Sequence, residues 1–502
     1  MTTAVQGLSA VLELLGQHSR SREPALLGLF DPAQPILVAR APGRLDVMGG
    51  FADYSGSLVL ELPIREAAFV AVQRRSEPWV EVVSEGVGPG AAPRRHVRFA
   101  LAELQRCTQS YATAREYFQR DGRQAWAAYA LGALAALRIE LDRELRCGLS
   151  LLVSSSVPEG KGVSSSASLE VASLRALAGW QGISIDPLRA ALLCQRVENL
   201  VAGAPCGVMD QMTSSCGSEG QLLPIVCQPA ELQPGFPLPP TLALWGIDSG
   251  IRHEVSGADY GQVRVAAFMG YRWLAEARGL PARVTGSEGQ VSIDDPQWGG
   301  YLARVPRAEF DRSYRQLLPE RCSGADFLSR FLGITDPITR VQRDVEYRVR
   351  AATEHPVHEH ARASEFRELL QRPELGVGSG QQRALLERLG SLLYEAHASY
   401  SACGLGSTGT DRIVELVREQ GPERGLYGAK ITGGGSGGTV VVLGRADAGP
   451  AVQAVVQRYA REVDRVPQVF SGSSPGAAAF GVRQLRPAAS GWQLGPAEGP
   501  GR

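Results

Sequence analysis

Two glycine-rich segments constrain this chain more than any other feature. The first, Val157-Pro158-Glu159-Gly160-Lys161-Gly162-Val163-Ser164-Ser165-Ser166-Ala167-Ser168, follows an apolar run at residues 149–153. It precedes a helical pattern over residues 167–180, with Val171, Leu174, Leu177 and Ala178 on one face. A strand, a glycine turn and a serine-started helix leave free N–H groups and the positive helix end facing the loop, which makes an anion site. Glycines let a phosphate approach the backbone, and serines offer caps and hydroxyls. This is not a Walker loop, because Lys161 is followed by Gly162. No HRD-type kinase loop occurs either. The second segment, Gly428-Ala429-Lys430-Ile431-Thr432-Gly433-Gly434-Gly435-Ser436-Gly437-Gly438, runs directly into the β-branched stretch Thr439-Val440-Val441-Val442-Leu443. So many glycines cost chain entropy unless the backbone must be approached closely. A flexible linker would not end in a strand.

Composition narrows the partners. Lys+Arg and Asp+Glu are both 52, so no strong basic field is available for nucleic acid or a membrane surface, and neither partner is expected. The only lysines, Lys161 and Lys430, lie in the two glycine segments. The eight cysteines form no CxxC pair, which fits reduced thiols and a cytoplasmic location. His355, His358 and His360 match no metal-ligand spacing. The N-terminus shows no secretory pattern, and the longest apolar run, residues 125–137, falls short of the roughly 20 residues that span a bilayer.

The periodicity predicts an amphipathic lead-in over residues 1–35, with Leu8, Val11, Leu12 and Leu15 at helical spacing. Strands are expected at 36–40, ending in a turn at Pro42-Gly43, and at 57–63, 69–73 and 149–153. Helical pattern covers 112–145, 167–180 and 187–201. The proline-rich residues 228–240 read as a connector. Residues 242–247 open a second half, 290–319 read as polar and irregular, and 488–502 as a disordered tail. The expected class is α+β with two lobes, residues 1–240 and 241–487, and with polar loops gathered at their junction.

A third loop, Ala41-Pro42-Gly43-Arg44-Leu45-Asp46-Val47-Met48-Gly49-Gly50-Phe51-Ala52-Asp53-Tyr54, places an arginine and two aspartates around tight turns. Asp53 could accept hydrogen bonds from sugar hydroxyls, and Arg44 could pair with a carboxylate or phosphate. The order of the three loops resembles the GHMP kinase superfamily over about residues 36–485. Gly43-Arg44 with Asp53-Tyr54, Trp126-x-x-Tyr129-x-x-Gly132, and Glu198-Asn199 followed by Cys206-Gly207-Val208-Met209-Asp210-Gln211 resemble its galactokinase family. Within that family, residues 43–66, 158–168 and 203–214 are most similar to the kinase portion of the longer plant L-arabinose kinases, without their additional N-terminal region.

The resemblance implies a ribosomal protein S5 domain 2-like N-terminal domain, a ferredoxin-like C-terminal domain, and ATP and Mg²⁺ as co-reactants. It implies Asp210 and Arg44 as the catalytic pair. Asp53, Gly50, Phe51, Gly207 and Tyr260 would lie at the sugar. Pro158, Gly160, Lys161, Gly162, Val163, Ser164, Ser165, Ser166 and Trp126 would lie at ATP, with Ser165, Ser166 and Glu198 as Mg²⁺ ligands. The Gly433–Gly438 cluster would pack against these loops. The family's glutamate and histidine at the sugar O6 are replaced here by Gly50 and Phe51, which suits L-arabinose, a pyranose without the exocyclic CH₂OH. The expected product is L-arabinose 1-phosphate. A galactokinase, a kinase for another sugar or a uronic acid, and a non-catalytic sugar sensor are the alternatives.

Overall fold

The computed structural model describes residues 15, 28–87, 93–251, 258–285, 289–376, 380–488 and 491–495. Of the expected lead-in helix, only Leu15 falls among them. In chain order the principal elements are β1 (Ile36–Met48), β2 (Leu58–Arg75), β3 (Trp79–Gly86), β4 (Arg95–Ala100), α1 (Ala127–Leu141), β5 (Gly148–Ser155), α2 (Ser165–Trp180), α3 (Pro187–Val197), α4 (Met209–Cys216) and β6 (Gln221–Val226). The second half contributes β7 (Leu242–Asp248), α5 (Ala258–Ala277), α6 (Val349–Leu370), α7 (Gly380–Cys403), α8 (Thr408–Gln420), β8 (Leu426–Ile431), β9 (Thr439–Arg445), α9 (Gly449–Val463) and β10 (Val469–Ser471). It ends in β11 (Val482–Ala488) and β12 (Gly491–Leu494).

The larger sheet runs β12-β11-β1-β2-β5-β3-β4, with β6 also on β2. Apolar residues of β1, β2, β3 and β5 pack on α1, α2 and α3 to form the main core. The Ala- and Leu-rich α1 is buried almost all round, as expected for a helix apolar on every side. Asp186 caps α3, accepting from the N–H groups of Leu188 and Arg189 at 3.0 and 3.1 Å, with Pro187 in the first turn. The second sheet is antiparallel in the order β8-β9-β7-β10, the ferredoxin-like arrangement. One face is covered by α8 and α9. Its other face, with α6 and α7, packs on Val47, Met48, Leu58 and Leu60, so the two lobes share an apolar seam.

Several boundaries differ from the sequence reading. Pro42-Gly43 does not end β1. The β1–β2 pairing shifts register between Pro42 and Arg44, and the bulge absorbs both residues within one continuous strand. The two predicted strands at 57–63 and 69–73 are the single strand β2. The helical stretch 112–145 is broken between Gln119 and Ala127, and α3 gives way at Glu198 to a wide π turn, Glu198–Ala202. Residues 482–494, read as the end of the second lobe and a disordered tail, return to the first sheet, with β11 on β1 and β12 on β11. Burial of Leu485 with Ile36 and Val38 holds them there, and the Trp492 indole N–H donates to the Gln34 carbonyl at 3.0 Å. The polar stretch 290–319 is anchored by Trp298, buried beside Leu302, Val305 and Phe310. Among the described residues no helix is long and apolar enough to cross a membrane.

Candidate active site

The bulge in β1 turns Arg44 inward. A Cβ on Gly43 would lie 2.5 Å from the Val163 carbonyl oxygen, so only glycine lets β1 meet the serine-rich loop. The Arg44 N–H donates to that carbonyl at 3.1 Å. The buried guanidinium donates through Nε and Nη2 to Asp210 Oδ1 at 2.9 and 2.8 Å, and through Nη1 to the Gly162 carbonyl at 2.6 Å. Glu61, opposite Asp46 in the β1–β2 register, lies 3.5 Å from Nε. Burial opposes the charge on Arg44, but Asp210, Glu61 and Asp46 outweigh it and raise its pKa above the ordinary value.

The serine loop is open to a ligand. Gly160, Gly162 and Ser164 have φ of 70, 68 and 61°, and α2 starts with no side-chain cap. Its first N–H groups therefore face the cleft unclaimed by a cap. The buried Ser164 Oγ has no hydrogen-bond partner. Across the cleft the π turn presents Glu198, hydrogen-bonded by Gln211 Nε2 and at 3.6 Å by Cys206 Sγ. Burial and the nearby Asp210 push the Glu198 carboxyl up to about 7, although Ser166 and Cys206 pull it down by hydrogen bonding. Glu170 on α2 is buried beside it and is raised further by burial and by Glu198.

At the opposite end, the 3₁₀ turn Gly50–Ser55 carries Asp53. A Cβ on Gly207 would sit 1.9 Å from Asp53 Oδ2, so this glycine makes room for the carboxylate. Burial and Asp210 push Asp53 up to about 7, and its buried Oδ1 has no hydrogen-bond partner. Tyr260 on α5 closes this end, edge-on to Tyr54 with centroids 6.2 Å apart. Arg264 stands 5.4 Å over the Tyr54 ring, forks onto Asp336 at 2.7 and 2.8 Å, and donates to the Cys206 carbonyl at 3.1 Å.

Several of these groups line one cleft of about 640 Å³, whereas Tyr54, Arg264 and Asp336 line a second one, and Glu61 and Glu170 line neither. Of the residues singled out in the sequence, the first cleft brings together Arg44, Asp53, Trp126, Gly160, Gly162, Ser164, Ser165, Ser166, Glu198, Gly207, Asp210 and Tyr260. Five others do not line it. Gly50 lacks a side chain, and a Cβ there would meet the Tyr400 hydroxyl at 1.6 Å. Phe51 does not face the cleft: its ring is fully buried, stacked on His355 at 3.9 Å and edge-on to Tyr400 at 4.7 Å. Pro158 is buried. Val163 packs with Leu45, Ile64 and Phe470. The Lys161 ammonium turns to Asp248 at 2.7 Å. The other two histidines of the 355–360 cluster have separate partners, His358 with Asp311 and His360 with the Leu58 N–H.

Three sequence families match the chain: the galactokinase galactose-binding signature at residues 29–74, the GHMP kinases N terminal domain at 128–218 and the GHMP kinases C terminal domain at 382–462. The chain carries the N terminal and C terminal domains of the GHMP kinases. It is 42% identical to an L-arabinokinase of Arabidopsis thaliana, over 96% of this chain and 51% of that protein. The chain thus spans about half the length of that relative. It is 29% identical to a galactokinase of Chloroflexus aurantiacus, over 86% of this chain and 90% of the other. In fold it resembles Lactococcus lactis galactokinase complexed with galactose, with a TM-score of 0.68 at 19% identity over 93% of this chain and 98% of that one. It also resembles Methanococcus jannaschii mevalonate kinase, with a TM-score of 0.51 at 14% identity over 87% and 98%. The galactose-binding signature contains the Arg44 and Asp53 loops, and the N terminal match contains the serine loop, Glu198 and Asp210.

Sequence reasoning missed Glu61, Glu170, Arg264, Asp336 and Tyr400. A charged residue inside the apolar run Leu58-Val59-Leu60-Glu61-Leu62 was a readable signal, and so was Glu170 within the apolar pattern of α2. Nothing local links Arg264 to Asp336, 72 positions away.

Proposed function

We propose that the protein is an ATP-dependent sugar 1-kinase that converts L-arabinose to L-arabinose 1-phosphate. The observation that carries this reading is the Arg44–Asp210 pair, seated between an uncapped, serine-lined helix start and the Asp53–Tyr260 end of the same cleft. The similarity to the plant L-arabinokinase supports the choice of sugar. Residues 50 and 51 support it differently from the sequence expectation. Phe51 does not fill the pocket; rather, neither position presents a polar group to the cleft, so a hydroxymethyl at C5 would gain no partner from them.

In this reading the triphosphate lies on the amides of Gly160–Ser166 and α2, with its base toward Trp126. The sugar hydroxyls satisfy Asp53 and Tyr260. Asp210 takes the anomeric hydroxyl proton as that oxygen bonds to the γ-phosphorus and the bond to the bridging oxygen of ADP breaks. Arg44 holds the Asp210 carboxylate at 2.8 Å and offsets phosphoryl charge. Glu198 with Ser165 or Ser166 would hold Mg²⁺; the donors are all hard oxygens, and the Glu198 carboxyl, raised to about 7 by burial and by Asp210, forms no ion pair with a Lys or Arg among the described residues. The ion, when bound, neutralises the phosphates. Eight free thiols support a reducing compartment such as the cytoplasm.

The test is a panel of pentoses and hexoses incubated with ATP and Mg²⁺, read as sugar phosphate. L-Arabinose should show the highest kcat/KM. A higher value for galactose or a uronic acid overturns the substrate, and sugar binding without ATP turnover makes the protein a sensor.

A further inference from the structure

Lys161 is held by the second lobe at both ends of the residue. Its Nζ lies 2.7 Å from Asp248 Oδ2 at the end of β7, with the lysine side chain 11% exposed and the aspartate fully buried. Its carbonyl accepts from Thr439 Oγ1 at 2.7 Å, and Thr439 is the register partner of Asp248 across β9 and β7. Asp248 is fixed in turn by the Gly250 N–H at 2.9 Å, with Arg465 Nη2 at 3.4 Å. The closeness is backbone-deep, since a Cβ on Gly438 would lie 2.9 Å from the Lys161 carbonyl oxygen. From the first lobe, Arg44 grips the next residue through the Gly162 carbonyl at 2.6 Å.

The chain's other lysine makes the reciprocal contact. Lys430 on β8 of the second lobe reaches Asp46 on β1 of the first at 2.5 Å, with both side chains fully buried. Each lysine thus crosses the lobe junction to a buried aspartate, and the two pairs bracket the glycine turn between β8 and β9.

We propose that Lys161 is a positioning residue: its ammonium latches the serine-rich loop to Asp248 of the second lobe, and the loop binds phosphate through backbone amides and serines rather than through this lysine. The loop has positive φ at three of five consecutive residues, 160 to 164, so no helix or strand ladder holds it. Two grips, Arg44 from one lobe and Asp248 with Thr439 from the other, fix where its N–H groups point. A lysine already neutralised by a buried carboxylate adds little net charge for a nucleotide.

The inference rests on the loop being the nucleotide site, so binding and turnover are measured separately. Lys161→Met, Asp248→Asn and the double variant of the full chain are titrated with a fluorescent ADP analogue and assayed for KM of ATP and of sugar. Each single variant should weaken nucleotide binding and raise KM for ATP by the same factor, about five- to tenfold, with the double variant no worse than either. KM for sugar should stay within about twofold, and Lys161→Arg, which can keep the pair, should stay near wild type. Should Asp248→Asn fail to fold, Asp248→Glu, one methylene longer, must show the same parallel loss. Weakened nucleotide binding in Lys161→Met with none at position 248 would overturn the latch in favour of direct phosphate contact. Unchanged binding in both variants would show that the loop needs no latch. If the wild type binds no nucleotide, the reading of the loop as a nucleotide site fails first, and the latch with it.

Discussion

Gly207→Ala tests the proposed sugar end of the cleft with one methyl group. The new Cβ would sit 1.9 Å from Asp53 Oδ2 and 2.0 Å from its Cγ. An ordinary contact is near 3.5 Å, so the carboxylate must retreat by roughly 1.5 Å or the 206–208 backbone must move. The backbone is the stiffer of the two, because Arg264 holds the Cys206 carbonyl at 3.1 Å while itself forked onto Asp336. Asp53 therefore moves. A retreat of that size breaks a charge-assisted hydrogen bond to a sugar hydroxyl, about 1.5–3 kcal/mol, or roughly 10- to 150-fold in KM for the sugar. The phosphate loop is untouched, so KM for ATP should change by less than about twofold. Steady-state kinetics with each substrate varied in turn, on protein whose melting temperature matches wild type, decides it. A sugar KM within twofold of wild type in folded Gly207→Ala would refute the role of Asp53, and an equal rise in both KM values would refute the division of the cleft into two ends.

Asp210→Asn keeps the shape of the side chain but removes the acceptor charge. It should lower kcat by about 10²- to 10⁴-fold with sugar binding retained, and near-normal turnover would remove Asp210 from the reaction. Lys430→Met strands Asp46, which is otherwise held by the ammonium and by the N–H groups of Gly50 and Gly433 at 2.9 and 3.2 Å. About 3–5 kcal/mol of stability should be lost, with much of it recovered in Lys430→Met/Asp46→Asn; equal melting temperatures for the two variants would refute the buried pair. Asp53 makes folding pH-dependent. Its carboxyl titrates at 3.8 when unfolded and about 7 when folded, so the native state binds the proton more tightly. The stability this group contributes is fully present below about pH 4 and is lost as pH rises through 7, up to roughly 4 kcal/mol. Without sugar, Asp53→Asn should melt with a shallower fall between pH 4 and 8, the remainder coming from the other buried carboxyls raised by burial, Glu198, Glu170 and Glu61; identical slopes would refute the assignment.

Much of the site was legible because its parts are local. A glycine-serine loop between a strand and a helix predicts an anion site from local backbone geometry, and Gly43-Arg44, Asp53 and Cys206-Gly207-Val208-Met209-Asp210 carry their spacing within a few residues. The helix over 167–180 was visible from apolar periodicity, and the one read over 187–201 is helical to Val197 before the π turn. Side-chain direction was not legible. Phe51 appears beside Asp53 in the sequence, yet the short 3₁₀ turn sends it into the aromatic stack with His355 and Tyr400, which arrive from α6 and α7 hundreds of residues later. Lys161 sits amid the residues of the serine loop, but a flexible side chain goes to the strongest counter-charge within reach, and Asp248 lies on another lobe.

The chain alone therefore determined which chemistry is present: the loops, their order and the acidic and basic residues they carry, since these follow from local backbone rules and short-range spacing. The tertiary structure decided which of those residues share one cleft and which are spent joining the lobes. It also decided that the final strands close the first sheet. Pairing of β11 with β1 and burial of Asp46 against Lys430 depend on surfaces separated by more than 380 positions, and no local pattern encodes which distant partner will exclude water from them.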